Sequence, residues 1–367
     1  MKIGVLTSSR ADYGIYLPLL QQLKTDDFFQ LEIIAFGTHL SKTHGYTLTA
    51  IENDAFEVIH SIESLEADDS TKGIAKSYGN TVLKFADFWQ NHSFDLVFCL
   101  GDRFEMSAAV QASIPFGVKL AHIHGGETTL GAIDNIYRHQ ITLASQLHFV
   151  STVDYKRKVA ALTGTSENIY NVGALSLDNI NNFEPIEKSK FLKTFQLKDA
   201  PYALVTFHPE TVAVHSNKTY ALHMKSALAE LSNTIHIIVT MPNADTLGSV
   251  YREQLEQLHS EIPEKVTLIE NFGKANYFTA MHYAEVLIGN TSSGIIEAAS
   301  FGKYVINVGS RQQGRAQGSN VFDVAFDSKK IVEKTHEVLK MPNFVDGNIY
   351  YKAATAEAII NTIKQHG

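Results

Sequence analysis

Along the first half of the chain, short apolar runs recur at Ile3–Thr7, Leu31–Phe36, Phe56–Ile59, Asp95–Leu100, Leu120–Ile123, Leu147–Val150 and Ile169–Val172. Residues with helical spacing lie between them. Several runs are apolar on consecutive positions rather than alternating, which predicts strands covered on both faces, as in a parallel sheet flanked by helices. Tyr16, Leu19, Leu20 and Leu23 fall at i, i+3, i+4 and i+7 and predict one apolar helical stripe, with Pro18 expected in the opening turn of that helix. The polar stretch from Ser176 to Pro201 reads as a domain boundary carrying a short helix. Strand-like runs resume at Ala203–Phe207, Ile235–Thr240, Val266–Ile269, Val286–Ile288 and Tyr304–Val308, and Ala353, Ala356, Ile360 and Ile363 predict a closing helix. Two successive β/α alternations predict two doubly wound, Rossmann-like α/β domains, 1–180 and 181–367, facing each other across a cleft. The closing helix, 350–366, is expected to pack back on the first domain.

Composition narrows the classes. The chain has 367 residues, 44% hydrophobic and 19% charged, an ordinary globular balance. No apolar run reaches the roughly 18 residues of a membrane span, and the start, MKIGVLTSSRADYG, turns polar too soon for a signal peptide. A single cysteine, Cys99, excludes an internal disulfide and any multi-cysteine metal site, and fits a reducing cytoplasm. With net charge -8 and no dense basic run, nucleic acid is not an expected partner.

Chemistry is expected where strands run into helices, because ligands of such sheets sit at the carboxyl ends of strands. Five junctions stand out. In SSRADYG, Ser8, Ser9 and Asp12 suit a helix cap and Arg10 suits a phosphate or carboxylate. In CLGDRFE, Asp102 and Arg103 follow a buried strand, and Asp102 with Glu105 also fits a capping box. In AHIHGGETTLGAIDNIYRHQ, period two puts His122 and His124 on one face, followed by Glu127, Asp134, Arg138 and His139. That segment fits an acid–base cluster; a metal site lacks distant partners. His208 and Glu210 follow the first strand of the second half. In GNTSSGIIEA, Thr291, Ser292, Ser293 and Gly294 open a helix whose free N–H groups and dipole would favour a phosphate, with Glu297 one turn on and able to accept from ribose hydroxyls. Neither a Walker loop nor a G-x-G-x-x-G fingerprint is present, which argues against ATP hydrolysis and nicotinamide chemistry.

At these residues the chain resembles the UDP-N-acetylglucosamine 2-epimerase family, and most closely its hydrolysing branch, which serves sialic and legionaminic acid biosynthesis. SSRADYG, GDRFE, HIHGGE, IDNIYRH, FHPET, MPNAD, GNTSSGIIEA and INVGSRQQGR carry the resemblance in order over nearly the whole chain. The resemblance implies a GT-B-like fold, with UDP on the second domain and the sugar facing the first. It implies nucleotide and diphosphate contacts at Arg10, Arg103, His208, Asn243, Ser292, Glu297 and Arg311, with Thr291 where relatives carry serine. Ala11, Asp12, Tyr277, Ser293 and Gly294 complete the expected UDP-sugar contacts. Asp102 and Asp134 match two catalytic carboxylates. A third stands where this chain has His124, so Glu127 or His124 itself would take that role, and His208 would help clamp the leaving diphosphate. No cofactor and no metal are expected, and the family suggests a homodimer or dimer of dimers. A non-hydrolysing 2-epimerase, a GT-B glycosyltransferase and a non-catalytic nucleotide-sugar sensor are the competing readings.

Overall fold

The computed structural model describes residues 1–366 other than 42–45, 57–58, 69, 213 and 243–247. The chain forms two compact units, one of residues 1–127, 134–179 and 350–367, the other of 128–133 and 180–349. Two segments therefore depart from a single cut near residue 180.

In the first unit the strands are β1 (Lys2–Thr7), β2 (Gln30–Phe36), β3 (Ile59–Ile62), β4 (Leu96–Leu100), β5 (Leu120–Ile123), β6 (Leu147–Val150) and β7 (Ile169–Asn171). All described pairings are parallel, in the order β3-β2-β1-β4-β5-β6-β7. Because side chains alternate faces, Val5, Ile33, Phe98 and Phe149 share one core, while Leu6, Ile34 and Cys99 share another with Phe85, Trp89 and Met106. The first core is closed by helix Arg10–Thr25 and by helix Thr355–His366, which contributes Ala356, Ile359, Ile360 and Ile363. Thr355 Oγ1 donates to the Val172 carbonyl at 2.8 Å and the Ala356 amide donates to Asp178 at 3.0 Å, fixing that helix in place.

The expected run Phe56–Ile59 falls partly outside the described residues, since 57–58 are not among them; the described strand pairs with β2 from Ile33↔Ile59 to Phe36↔Ile62. One sequence expectation changes here. Pro18 lies well inside helix Arg10–Thr25 rather than in its opening turn. An interior proline costs about 3 kcal/mol, a cost offset by the burial of Tyr13, Tyr16, Leu19, Leu20 and Leu23 along one stripe.

The second unit holds β8 (Tyr202–Thr206), β9 (His236–Thr240), β10 (Val266–Ile269), β11 (Val286–Gly289), β12 (Val305–Val308) and β13 (Val321–Val324), again parallel, in the order β10-β9-β8-β11-β12-β13. The expected short helix of the boundary stretch spans Lys188–Thr194. Strand β13 was not expected: it is a half-exposed edge strand of four residues, VFDV, too short and too mixed to stand out. Segment 128–133 is tied into this unit. Leu130 N–H donates to the Gln313 carbonyl at 2.9 Å, Ile133 N–H donates to Thr211 Oγ1 at 2.9 Å, and a Cβ on Gly131 would meet the Ser310 carbonyl oxygen at 2.4 Å. Only glycine fits there.

Candidate active site

In the first unit, Ser9 is the N-cap of helix Arg10–Thr25 and its hydroxyl accepts from the Asp12 amide at 3.2 Å. Asp12 accepts in return from the Ser8 amide at 3.0 Å and the Ser8 hydroxyl at 2.6 Å. Burial raises the Asp12 carboxyl above its ordinary pKa, against the opposing pull of Arg103 and these hydrogen bonds. Asp12 is thus committed to the turn, while Arg10 and Ala11 stand exposed in the first helical turn.

At the end of β4 the capping alternative for Asp102 does not hold. Arg103, not Asp102, occupies the N-cap position of helix Phe104–Ser113 with no side-chain cap hydrogen bond, and Arg103 Nη2 donates to Glu105 at 2.8 Å instead. The Asp102 carboxylate accepts from Arg138 Nη2. Arg138 sits in helix Asp134–Ala144, one turn after Asp134. Its Nη1 donates to the His124 carbonyl at 3.1 Å and to Glu127 Oε2 at 3.2 Å.

The histidine pair also diverges. Strand β5 ends at Ile123, and His124 takes a left-handed φ of 65°, so it leaves the face on which His122 sits. His122 Nε2 donates to the Gly101 carbonyl at 2.9 Å and Nδ1 faces Thr142 at 3.0 Å; burial pushes the ring down to about 3. His124 Nδ1 lies 3.1 Å from Glu127 Oε1, and its Nε2 accepts from the Leu175 amide at 3.3 Å. Ser151 Oγ donates to the same Glu127 oxygen at 2.8 Å. Gly126, at φ 78°, makes this turn possible: a Cβ there would meet the Tyr155 carbonyl oxygen at 2.7 Å. Glu127 is therefore fully engaged inside the protein, Asp102 is the part-exposed end of the network, and Asp134 opens its helix half-buried. Among the described residues no three His, Cys, Asp or Glu groups are placed to hold a metal ion.

In the second unit the organising residue is Asn290, which sequence reasoning passed over inside GNTSSG. Its Oδ1 accepts from the His208 amide at 2.7 Å, its Nδ2 donates to the His208 carbonyl at 2.8 Å, and its own carbonyl accepts from Gln312 at 2.9 Å. Fully buried, it ties the turn after β11 to the turns after β8 and β12. Glu210 accepts from the Ser310 amide and hydroxyl, holding the turn that carries Arg311. A cavity of about 490 Å³ opens beside that turn, lined by Glu210, Ser310, Gln313, Arg315, Asp323 and Phe326 among others, and by none of the residues expected to contact substrate.

Thr291 caps helix Ser292–Ile296, accepting from the Gly294 amide at 3.1 Å. This helix is only five residues long, so the expected dipole shrinks to a few local amide groups. The Ser293 hydroxyl is buried beside the Tyr277 phenol. Glu297 follows the helix, largely buried. Burial raises the pKa of the Tyr277 phenol, and the charge of Glu297 nearby adds to the rise. Asn243 lies outside the described residues.

A family model described as UDP-N-acetylglucosamine 2-epimerase matches residues 21–364. The UDP-N,N'-diacetylbacillosamine 2-epimerase (hydrolyzing) of Legionella pneumophila is 33% identical, covering 99% of this chain and 95% of that protein. The polysialic acid biosynthesis protein P7 of Escherichia coli is 32% identical over 99% of this chain and 93% of its own. Among solved structures, a UDP-GlcNAc 2-epimerase from Neisseria meningitidis bound to UDP-GlcNAc matches at TM-score 0.82 and 18% identity, covering 100% of both chains. The GT-B-like class of two doubly wound Rossmann-like domains is the fold of these neighbours.

Proposed function

The chain belongs to the UDP-N-acetylglucosamine 2-epimerase family, and from that membership we propose a hydrolysing 2-epimerase that converts a UDP-linked 2-acetamido-glucose-type sugar and water into the free 2-acetamido-manno sugar and UDP. UDP-N-acetylglucosamine and UDP-N,N'-diacetylbacillosamine are the two substrates of this class to compare, the second being the one named for the Legionella relative. The free product suits sialic or legionaminic acid biosynthesis in the cytoplasm. No described helix is long and apolar enough to cross a membrane. The working form is a homodimer or dimer of dimers.

The observation that carries this reading is Asp102. It presents a carboxylate at the carboxyl end of β4, backed by buried Arg138 and Glu127, with Asp134 opening the helix that carries Arg138. A glycosyltransferase needs at most one base, for the proton of its acceptor hydroxyl. Inversion at C2 needs both a base and an acid. A base takes the C2 proton, the C1–O bond breaks with its electron pair leaving on UDP, and a C1=C2 glycal forms. Water then adds its oxygen to C1, while an acid delivers a proton to C2 from the opposite face. Two carboxylates in different surroundings serve as base and acid. Arg10, Arg103, His208 and Arg311 would stabilise the charge that grows on the departing diphosphate. Ser292, Ser293, Gly294, Glu297, Tyr277 and Asn243 would hold the nucleotide, and the gathering of Ser293, Thr291 and Glu297 around the Tyr277 phenol supports that placement.

The test is turnover of each UDP-sugar in heavy water, with and without exhaustive chelation. Free UDP and free manno-configured sugar carrying deuterium at C2 is the expected result in both conditions. An intact UDP-linked epimer as sole product would move the chain to the non-hydrolysing branch. Protium retained at C2 would remove the elimination route, and binding without turnover would leave a sensor.

A further inference from the structure

Arg138 has no assigned role, yet its guanidinium is the hub of the first-unit cluster. Its side chain is 2% exposed, as is that of Glu127, whereas Asp102 is 26% exposed. One prong of the fork, Nη2, donates to Asp102; the other, Nη1, donates to Glu127 and to the His124 carbonyl. Burying a guanidinium is costly unless it is paired, and here Asp102 pairs one terminal nitrogen and the His-Gly-Gly-Glu turn the other, while Nε makes no hydrogen bond among the described residues. Glu127 spends one oxygen on Arg138 and the other on Ser151 and His124. The His124 ring spends Nε2 on the Leu175 amide, so in its neutral form the proton sits on Nδ1 and points at Glu127. Neither group keeps a free position to offer a sugar.

We propose that Arg138 is the positioning residue that holds the Asp102 carboxylate in its proton-transfer geometry, and that Glu127 is the buried counter-charge of Arg138 rather than an acid or base acting on substrate. This rests on the 2-epimerase reading above. The other prong, spent on Glu127 and the His124 carbonyl, fixes the guanidinium itself, so the single charge-assisted bond from Nη2 holds one Asp102 oxygen at a defined place that a freely rotating aspartate at a turn would lack. His124 completes the frame by holding Glu127 to the backbone of residue 175.

The experiment compares Arg138→Met, Arg138→Lys and Glu127→Gln with Asp102→Asn, measuring kcat, KM, UDP affinity and thermal unfolding, in the presence and absence of guanidinium or methylguanidinium. Displacing a reacting group by about 1 Å costs on the order of 100-fold, so Arg138→Met should lose roughly that in kcat while UDP affinity stays within about 3-fold. Added guanidinium should restore part of the rate in a saturable way. Arg138→Lys, which keeps charge but loses one prong, should fall between Met and wild type and serves if the Met variant does not fold. Glu127→Gln should lose less than Asp102→Asn. Wild-type kcat in Arg138→Lys would overturn the proposal. So would a loss in Arg138→Met that tracks UDP affinity and unfolding and ignores guanidinium, since that marks a purely structural role. A Glu127→Gln loss equal to that of Asp102→Asn would return Glu127 to the substrate. If the wild type itself releases no free sugar, the 2-epimerase reading fails instead.

Discussion

Asp102 follows a strand end, Asp134 opens the helix whose Arg138 holds Asp102, and the proposed chemistry asks each to move a proton. Replacing either by asparagine keeps shape and hydrogen bonding but removes the exchangeable acid. Removing a general acid or base costs about 10²–10⁴ in rate, so Asp102→Asn and Asp134→Asn should lose at least ~100-fold in kcat while UDP affinity, measured by calorimetry, stays near wild type. A parallel fall in UDP affinity would show that these carboxylates bind rather than react. At this scale the sequence was legible for residue types and less so for partnerships. Asp102 and Arg138 are 36 positions apart, and their pairing depends on two turns converging in space. The left-handed backbone of His124 likewise has no signature in an H-x-H string.

Among the elements, the turn and short helix after β11 carry the nucleotide hypothesis. Gly289, at φ 150°, ends that strand so close to β8 that a Cβ would meet the Thr206 carbonyl oxygen at 1.8 Å, which places the following Asn290 and Thr291 tightly over the sheet edge. Glu297, at the far end of the helix, is expected to accept from ribose hydroxyls. Leaving those hydroxyls unpaired costs roughly 1–3 kcal/mol, so Glu297→Ala should weaken UDP binding by about one to two orders of magnitude at ~1.4 kcal/mol per decade. Unchanged affinity in a folded variant would locate the nucleotide elsewhere. The interior strands were readable because burial on both faces leaves runs such as LVFCL without a polar position. Strand β13 was not, because an edge strand is covered on fewer sides and can keep Asp323 in its middle.

Across the whole molecule, stability should depend on pH through buried histidines of the first unit. Burial pushes His39 to about 4, His122 to about 3 and His148 to about 4, against an ordinary value near 6.5. Between those values the unfolded chain binds protons that the folded chain refuses, so stability is full above about pH 6.5 and declines as pH falls towards 4. Each histidine contributes up to ~1.4 kcal/mol per pH unit in that window. Urea unfolding at pH 7 and pH 5 should show a lower midpoint at pH 5, and equal midpoints would mean these rings are charged in the fold.

The same scale decides how the chain can be divided. Helix Thr355–His366 buries three isoleucines in the first-unit core. At about 1.5–3 kcal/mol each, their loss rivals the ~5–15 kcal/mol of a typical domain. A fragment of residues 1–179 should therefore lack a cooperative unfolding transition and regain one when residues 350–367 are fused to it; a cooperative fragment without them would show the helix to be dispensable. No sequence signal marked segment 128–133 as part of the other unit, since its ties to Thr211 and Gln313 are set by the three-dimensional path alone.

The discontinuity of the first unit bears on how the protein is born. Its sheet is complete once residue 171 has been translated, but the helix that seals one face follows only after residues 180–349. At about 5–20 residues per second, that delay is roughly 10–35 s. During it the second unit can close while the first-unit core still lacks Ala356, Ile359, Ile360 and Ile363. Ribosome-bound intermediates of this chain should therefore recruit holdase chaperones at the first half rather than the second.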